Sequence, residues 1–288
     1  MKNISLKTIV NLQLISLSIL GTIAIFSPLF LRVNPVLSQN NLNTIDEKKA
    51  EADRLSKLGT QQYQNGQFKE ALETFQQELI IRREIGDRAG EGAIFNNLGL
   101  VYDNWGKYEE ALNYHQQALV ISREIKNPFN ESIDLNSLGV IYEKLGKYEE
   151  ALNYHQQSLK ISREIKNRER EGIALNSIGN VYHKLGKYQE ALNYYQQALV
   201  ISREFKNPFN ESIDLNNLGR IYRIMGKYAE ALNYHQQALA ITREIDDNKQ
   251  ESIIFNSLGY VYNQLGKYEQ ALNYHQQSLK IDERVSNN

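Results

Sequence analysis

The chain has 288 residues, 41% hydrophobic and 23% charged, with a formal net charge of -1. That is an ordinary soluble balance, long enough for two compact domains or one extended one. The near-zero charge leaves no basic footprint for nucleic acid, and the absence of cysteine excludes disulfides, thiolate chemistry and lipid attachment through a thiol.

Residues 1–38 differ from the rest. Lys2 and Lys7 precede an apolar run from Ile9 to Leu31, and Arg32, Asn34 and Pro35 lead into Val36-Leu37-Ser38. A basic start, an apolar middle and a small residue at the end make a secretory signal cleaved after Ser38. The apolar run is longer than a usual signal core, so an uncleaved membrane anchor through 9–31 stays open. Both readings export the remainder of the chain, to the periplasm or the exterior, because the positive end stays inside. Residues 39–48 read as a short linker.

From there the chain repeats itself. Gly106-Lys107-Tyr108 recurs at Gly146, Gly186, Gly226 and Gly266, every 40 residues, and Gly66-Gln67-Phe68 is a diverged sixth copy. The copies span about 52–91, 92–131, 132–171, 172–211, 212–251 and 252–285 within an array at 49–285, leaving 286–288 as a tail. Each copy holds two amphipathic helices: Phe95, Leu98, Gly99 and Tyr102 share one face, and Tyr108, Ala111, Leu112, His115, Ala118 and Leu119 another. Gly106 stands where a left-handed C-terminal cap is needed. Gly99 and Ala111 lack bulk and mark the closest approach of the paired helices.

The junctions carry their own signals. Asp87, Asn127, Asn167, Asn207 and Asp247 share a register suited to capping the next helix. Pro128 and Pro208 come next, at the first helical position, and Glu91, Glu131, Glu171, Glu211 and Glu251 put negative charge near the positive helix end. Arg123 and Lys126 are read as lying in the preceding helix's last turn. One such helix pair cannot bury its apolar face alone, so stacking predicts an elongated all-α solenoid with a concave and a convex surface.

Leu138-Gly139-Val140-Ile141-Tyr142 followed by Gly146-Lys147-Tyr148-Glu149-Glu150-Ala151 resembles the tetratricopeptide-repeat signature, and the resemblance covers Lys49 to Val285. The fold it implies is a right-handed α-solenoid of six helix–turn–helix repeats. The period exceeds the family's usual figure of about 34 and is similar to Pins/LGN-type scaffolds and kinesin light chains. Ala52-Asp53-Arg54-Leu55 through Tyr63 looks like the opening of bacterial arrays joined to a CHAT peptidase domain. No such domain comes after the array in this sequence, and no extra polar helix covers the last repeat. The last helix is therefore expected to expose Leu272, Leu279 and Ile281.

The resemblance implies that a protein or peptide partner binds in the concave groove lined by the first helix of each pair. Leu98 and Tyr102 face the core, so Asn96, Leu100 and Asp103 point away. One row down the array is constant: Asn96, Asn136, Asn176, Asn216, Asn256. These amides either hydrogen-bond an extended peptide's backbone or tie adjacent helices together. Two rows vary: Leu100, Val140, Asn180, Arg220, Tyr260, and Asp103, Glu143, His183, Arg223, Asn263. That variation is either ligand reading or drift. If it is functional, Lys184, Arg220 and Arg223 would favour an acidic segment of the partner.

His115, His155, His235 and His275 share one register, about 10 Å apart from repeat to repeat, which is too far to share an ion. They read as packing residues. The Tyr114 row lacks a basic track for base stacking. No phosphate loop, nucleophile with its base or carboxylate pair emerges, so neither catalysis nor a metal or cofactor is expected. The reading is a non-catalytic interaction scaffold. A self-associating structural element joined end to end, or a regulatory subunit of a separately encoded peptidase or signalling enzyme, stay open as alternatives.

Overall fold

A computed structural model describes residues 44–286. The segments read as signal or anchor (1–38, with 9–31) and the first half of the linker (39–43) lie outside the described residues. These form twelve helices: α1 (Ile45–Gln64), α2 (Phe68–Glu84), α3 (Arg88–Asn104), α4 (Tyr108–Glu124), α5 (Pro128–Lys144), α6 (Tyr148–Glu164), α7 (Arg168–Lys184), α8 (Tyr188–Glu204), α9 (Pro208–Ile224), α10 (Tyr228–Glu244), α11 (Asn248–Gln264) and α12 (Tyr268–Ser286). Among them no helix is long and apolar enough to cross a membrane. Each odd helix packs on the even helix after it and, from α3 onward, on the even helix before it, giving a right-handed α-solenoid of six helix–turn–helix repeats.

Two boundaries move. Helix α1 begins at Ile45, inside the stretch read as linker 39–48, because Thr44 and Glu47 form a reciprocal capping box that satisfies two otherwise unpaired amides. The copies framed as 52–91, 92–131 and onward start inside helices; the physical units run from cap to cap, the second from Asp87 to Ile125. The caps fall where expected. The side chains of Asp87, Asn127, Asn167, Asn207 and Asp247 each accept from the amide three residues on, and Pro128 and Pro208 open their helices.

The two kinds of turn differ. Within a pair the left-handed residue is glycine, as at Gly106 (φ 69°) and Gly146 (φ 72°). Between pairs Gly86 is replaced in the later copies by Lys126 (φ 53°), Lys166 (φ 56°), Lys206 (φ 49°) and Asp246 (φ 54°). Lys126 is thus past the helix end at Glu124 rather than in its last turn. Its amide donates to the Arg123 carbonyl at 3.1 Å, and a side chain there costs about 1 kcal/mol.

Three contacts recur with the period. Tyr142 stacks on Tyr154 at 5.2 Å and Tyr222 on Tyr234 at 5.2 Å, with Lys147 and Lys227 of the turn over the first ring of each. Arg123, Arg163, Arg203 and Arg243 reach forward across each junction to Glu131, Glu171, Glu211 and Glu251, at 2.7–2.9 Å. Inside each pair an imidazole is pressed on a glycine: a Cβ on Gly99 would lie 2.6 Å from the His115 ring. His115, His155 and His235 are fully enclosed, and Tyr195 takes the same place against Gly179. On the final helix Leu272 and Leu279 are exposed, as expected, but Ile281 is buried, covered on its own pair's side.

Candidate functional site

The odd helices line the inner side of the solenoid. Helix α5 touches α7 and α9 touches α11, and no pair of even helices comes as close. At the two other interior junctions, α3 with α5 and α7 with α9, the inner helices stand further apart, and a pocket of about 160 Å³ opens in each gap. The first is lined by Gly92, Asn96, Ser122, Ile125, Asn130 and Asp134, among others. The second is lined by their counterparts Gly172, Asn176, Ser202, Phe205, Asn210 and Asp214. The stretch Gln116–Asn136 is identical to Gln196–Asn216 except that Ile125 becomes Phe205, so the pockets repeat every second copy.

Each pocket holds a buried acid. Asp134 and Asp214 are 3% exposed, and burial pushes both carboxyls up to about 7, against the opposing pull of hydrogen bonds from Ser122 on Asp134, and from Asn176 and Ser202 on Asp214. Asn96 donates to Asp134 across the junction at 3.0 Å, and Asn176 to Asp214 likewise.

The constant asparagine row is therefore engaged within the fold at several points. Asn136 Oδ1 faces His155 Nδ1 at 2.8 Å. Asn256 meets His275 Nδ1 at 2.9 Å and donates to Ser278 at 2.7 Å. Asn216 is buried with its Oδ1 unpartnered, and Asn96 Oδ1 is also unpartnered. Asn180 accepts from the Tyr195 hydroxyl at 2.8 Å, a bond only this copy makes because tyrosine stands there for histidine.

The varied rows converge at the C-terminal ends of α7 and α9. His183 is held at about 4 by burial together with Arg220, Lys184 and Arg223, so three cations act on one imidazole, while Glu143 of the preceding inner helix interacts with Lys184. Arg223 lies 5.7 Å from the centre of the exposed Tyr260 ring, and Arg220 reaches Asn217. Of the ten residues singled out from the sequence, Lys184, Arg220, Arg223 and Tyr260 gather here with Asn180 and Asn216 close in the same copies. Asn96 and Asn176 instead line the two pockets. At the other end of this edge Lys144 pairs with Asp103 at 2.6 Å.

Models of the tetratricopeptide repeat match residues 51–124, 131–204 and 212–284. The chain belongs to the tetratricopeptide-repeat family. Each match takes in two copies, and the pockets fall at the joins between matches. None of the curated proteins matches this tetratricopeptide-repeat chain. Among solved structures it is similar to BtubC of P. vanneervenii (20% identity, TM-score 0.60, 84% of this chain and 91% of that one). A Rap protein complexed with Competence and Sporulation Factor is similar at 16% identity and TM-score 0.65, over 84% and 80% of the two chains. A Signal Transduction ATPase with Numerous Domains protein with a tetratricopeptide repeat sensor, from Pyrococcus horikoshii, matches at 20% identity and TM-score 0.66, over 83% of this chain and 37% of that one.

Sequence reasoning missed Asp134, Asp214, Gly92 and Gly172. The signal was present as the near-identity of Gln116–Asn136 and Gln196–Asn216, a period of two copies hidden under the stronger period of one.

Proposed function

We propose that this tetratricopeptide-repeat array is a non-catalytic scaffold that binds a peptide segment of a partner protein along its inner row of helices. An acidic group of that segment is received by Lys184, Arg220 and Arg223. The observation that carries the reading is the gathering of these three cations around the half-buried His183. Arginine offers a carboxylate two parallel donors, and Tyr260 beside Arg223 adds an apolar wall. The likeness in fold to a Rap protein complexed with Competence and Sporulation Factor is in keeping with a groove that accepts a partner.

A partner captured on the array from its own cells, then titrated, tests this. Arg220→Ala/Arg223→Ala is expected to weaken binding at least about tenfold, in line with losing charge-assisted bonds of roughly 1.5–3 kcal/mol, and to flatten the salt dependence. Unchanged affinity and salt dependence would reject the reading. The array also works outside the cytoplasm in this proposal, delivered by residues 1–38; a mature chain beginning at Gln39 on N-terminal sequencing distinguishes cleavage from an anchor.

A further inference from the structure

We infer that the two pockets are sockets for two arginine side chains of one extended partner segment, one seated against Asp134 and the other against Asp214. This deepens the binding reading above and rests on it. Two of the other three junctions are filled by an arginine of the chain itself. Where α1 meets α3, the place of Ser122 and Ser202 is taken by Arg82. Its buried guanidinium donates to Asp53 at 2.7 Å, Asp87 at 2.8 Å and Glu78 at 3.1 Å. Asp53 and Glu78 occupy the registers of Ala93 and Ala118, which line the first pocket. A Cβ on Gly90, in the register of Asn130, would lie 2.6 Å from Arg82 Cδ.

Where α5 meets α7 the chain again supplies an arginine. Arg170 stands in the register of Asn130 and Asn210, and its guanidinium lies 5.3 Å from the centre of the Phe129 ring on the neighbouring inner helix. The acid is absent there, Ala174 replacing Asp134 and Asp214. Three junctions lack an internal arginine: at α9–α11 Ile254 stands in the place of the acid and the inner helices touch, and the other two hold the buried acid and the open pocket. In the lining of neither is there a cationic side chain. Both offer the buried carboxyl of Asp134 or Asp214 as an acceptor and apolar walls from Ile121, Ile133, Ile201 and Ile213, which suit the head and stem of one arginine. Gly92 and Gly172 keep the space clear where the first copy carries Ala52 and the others Ser132, Ser212 and Ser252.

Two copies apart is about 20 Å at usual helix spacing, or about six residues of extended chain. The test uses a labelled peptide of mixed Ala, Ser and Thr with two arginines, its spacing varied, against the same peptide with citrulline, the neutral isostere. The arginine pair is expected to bind the intact array at least about tenfold more tightly, best near six residues apart, as for a desolvated charged hydrogen bond. Ser122→Arg/Ser202→Arg, which copies Arg82, is expected to plug the sockets and remove that preference while the thermal midpoint holds. Asp134→Asn/Asp214→Asn, which keeps the shape, is expected to remove it as well. Equal binding of the arginine and citrulline peptides, or a preference that survives both variants, overturns the sockets. If that happens while Arg220→Ala/Arg223→Ala still weakens the captured partner, the sockets alone fail; if that double variant is silent but the arginine preference holds, only the acidic anchor fails.

Discussion

Glycine does two unlike jobs in this array. At Gly106, Gly146 and their equivalents it takes a left-handed backbone with open space around it, so only conformation is at stake. At Gly99, Gly139 and Gly219 the backbone is ordinary helix, and the glycine is there because an imidazole is packed directly against it. A Cβ on Gly139 would come within 2.5 Å of the His155 ring, whose neighbours leave it nowhere to go. Gly139→Ala is therefore expected to destabilise the array by about 1–3 kcal/mol, the usual cost of overpacking, although alanine is the better helix former. Urea denaturation checks this, and a stabilised variant would show that the ring can shift aside. The sequence marked Gly99 as a point of close approach but did not name the partner, because a period of 40 residues says which residues are equivalent and not which ones touch.

At the scale of the helix, starts were more legible than stops. A start is written in local chemistry, an Asn or Asp side chain accepting from an amide three residues on, and Pro128 and Pro208 reinforce it. The stops after α4, α6, α8 and α10 hide their left-handed residue under Lys126, Lys166, Lys206 and Asp246; lysine has no preference for that backbone, and only the aspartate is of a type enriched there. Gly86 shows that glycine serves in the same place. Lys126→Gly and Lys166→Gly are each expected to raise stability by about 0.5–1 kcal/mol, since the relief of strain exceeds the added entropy of the unfolded chain. Thermal melting of the single variants checks it, and a fall in midpoint would mean that the lysine side chain contributes more than its backbone costs. Each junction is also held by the forward ion pair of Arg123 with Glu131 and its equivalents, each worth well under about 1 kcal/mol at such exposure.

Across the whole molecule, buried titratable groups pull in opposite directions with pH. His115 and His155 are pressed down to about 4 and His235 to about 3 by burial, so the fold holds them neutral. Their contribution is present above the unfolded value near 6.5 and is lost as pH falls through the folded values. Asp134 and Asp214 are raised to about 7, so their contribution is full below the unfolded value near 3.9 and is lost as pH rises through 7. The two sets offset one another between about pH 4 and 7. Asp134→Asn/Asp214→Asn is expected to remove one side of that balance, gaining stability over the parent by a few kcal/mol between pH 4 and 8. A difference independent of pH, measured by denaturation across that range, would show the carboxyls already ionised in the fold.

The sequence by itself determined the fold, because a two-helix unit written six times can bury its apolar faces only by stacking on its own copies. It also located the caps, the packed histidines and the cations at Lys184, Arg220 and Arg223. Tertiary structure alone decided how far the inner helices stand apart at each junction. That spacing depends on what fills the seam: Arg82 at the first junction, Arg170 over Phe129 at the third, and only Asp134 or Asp214 beside a glycine at the second and fourth. The near-identity of Gln116–Asn136 and Gln196–Asn216 marks those two junctions as alike, but the residues that set the spacing come from three different helices, and only their packing shows that the gap is open.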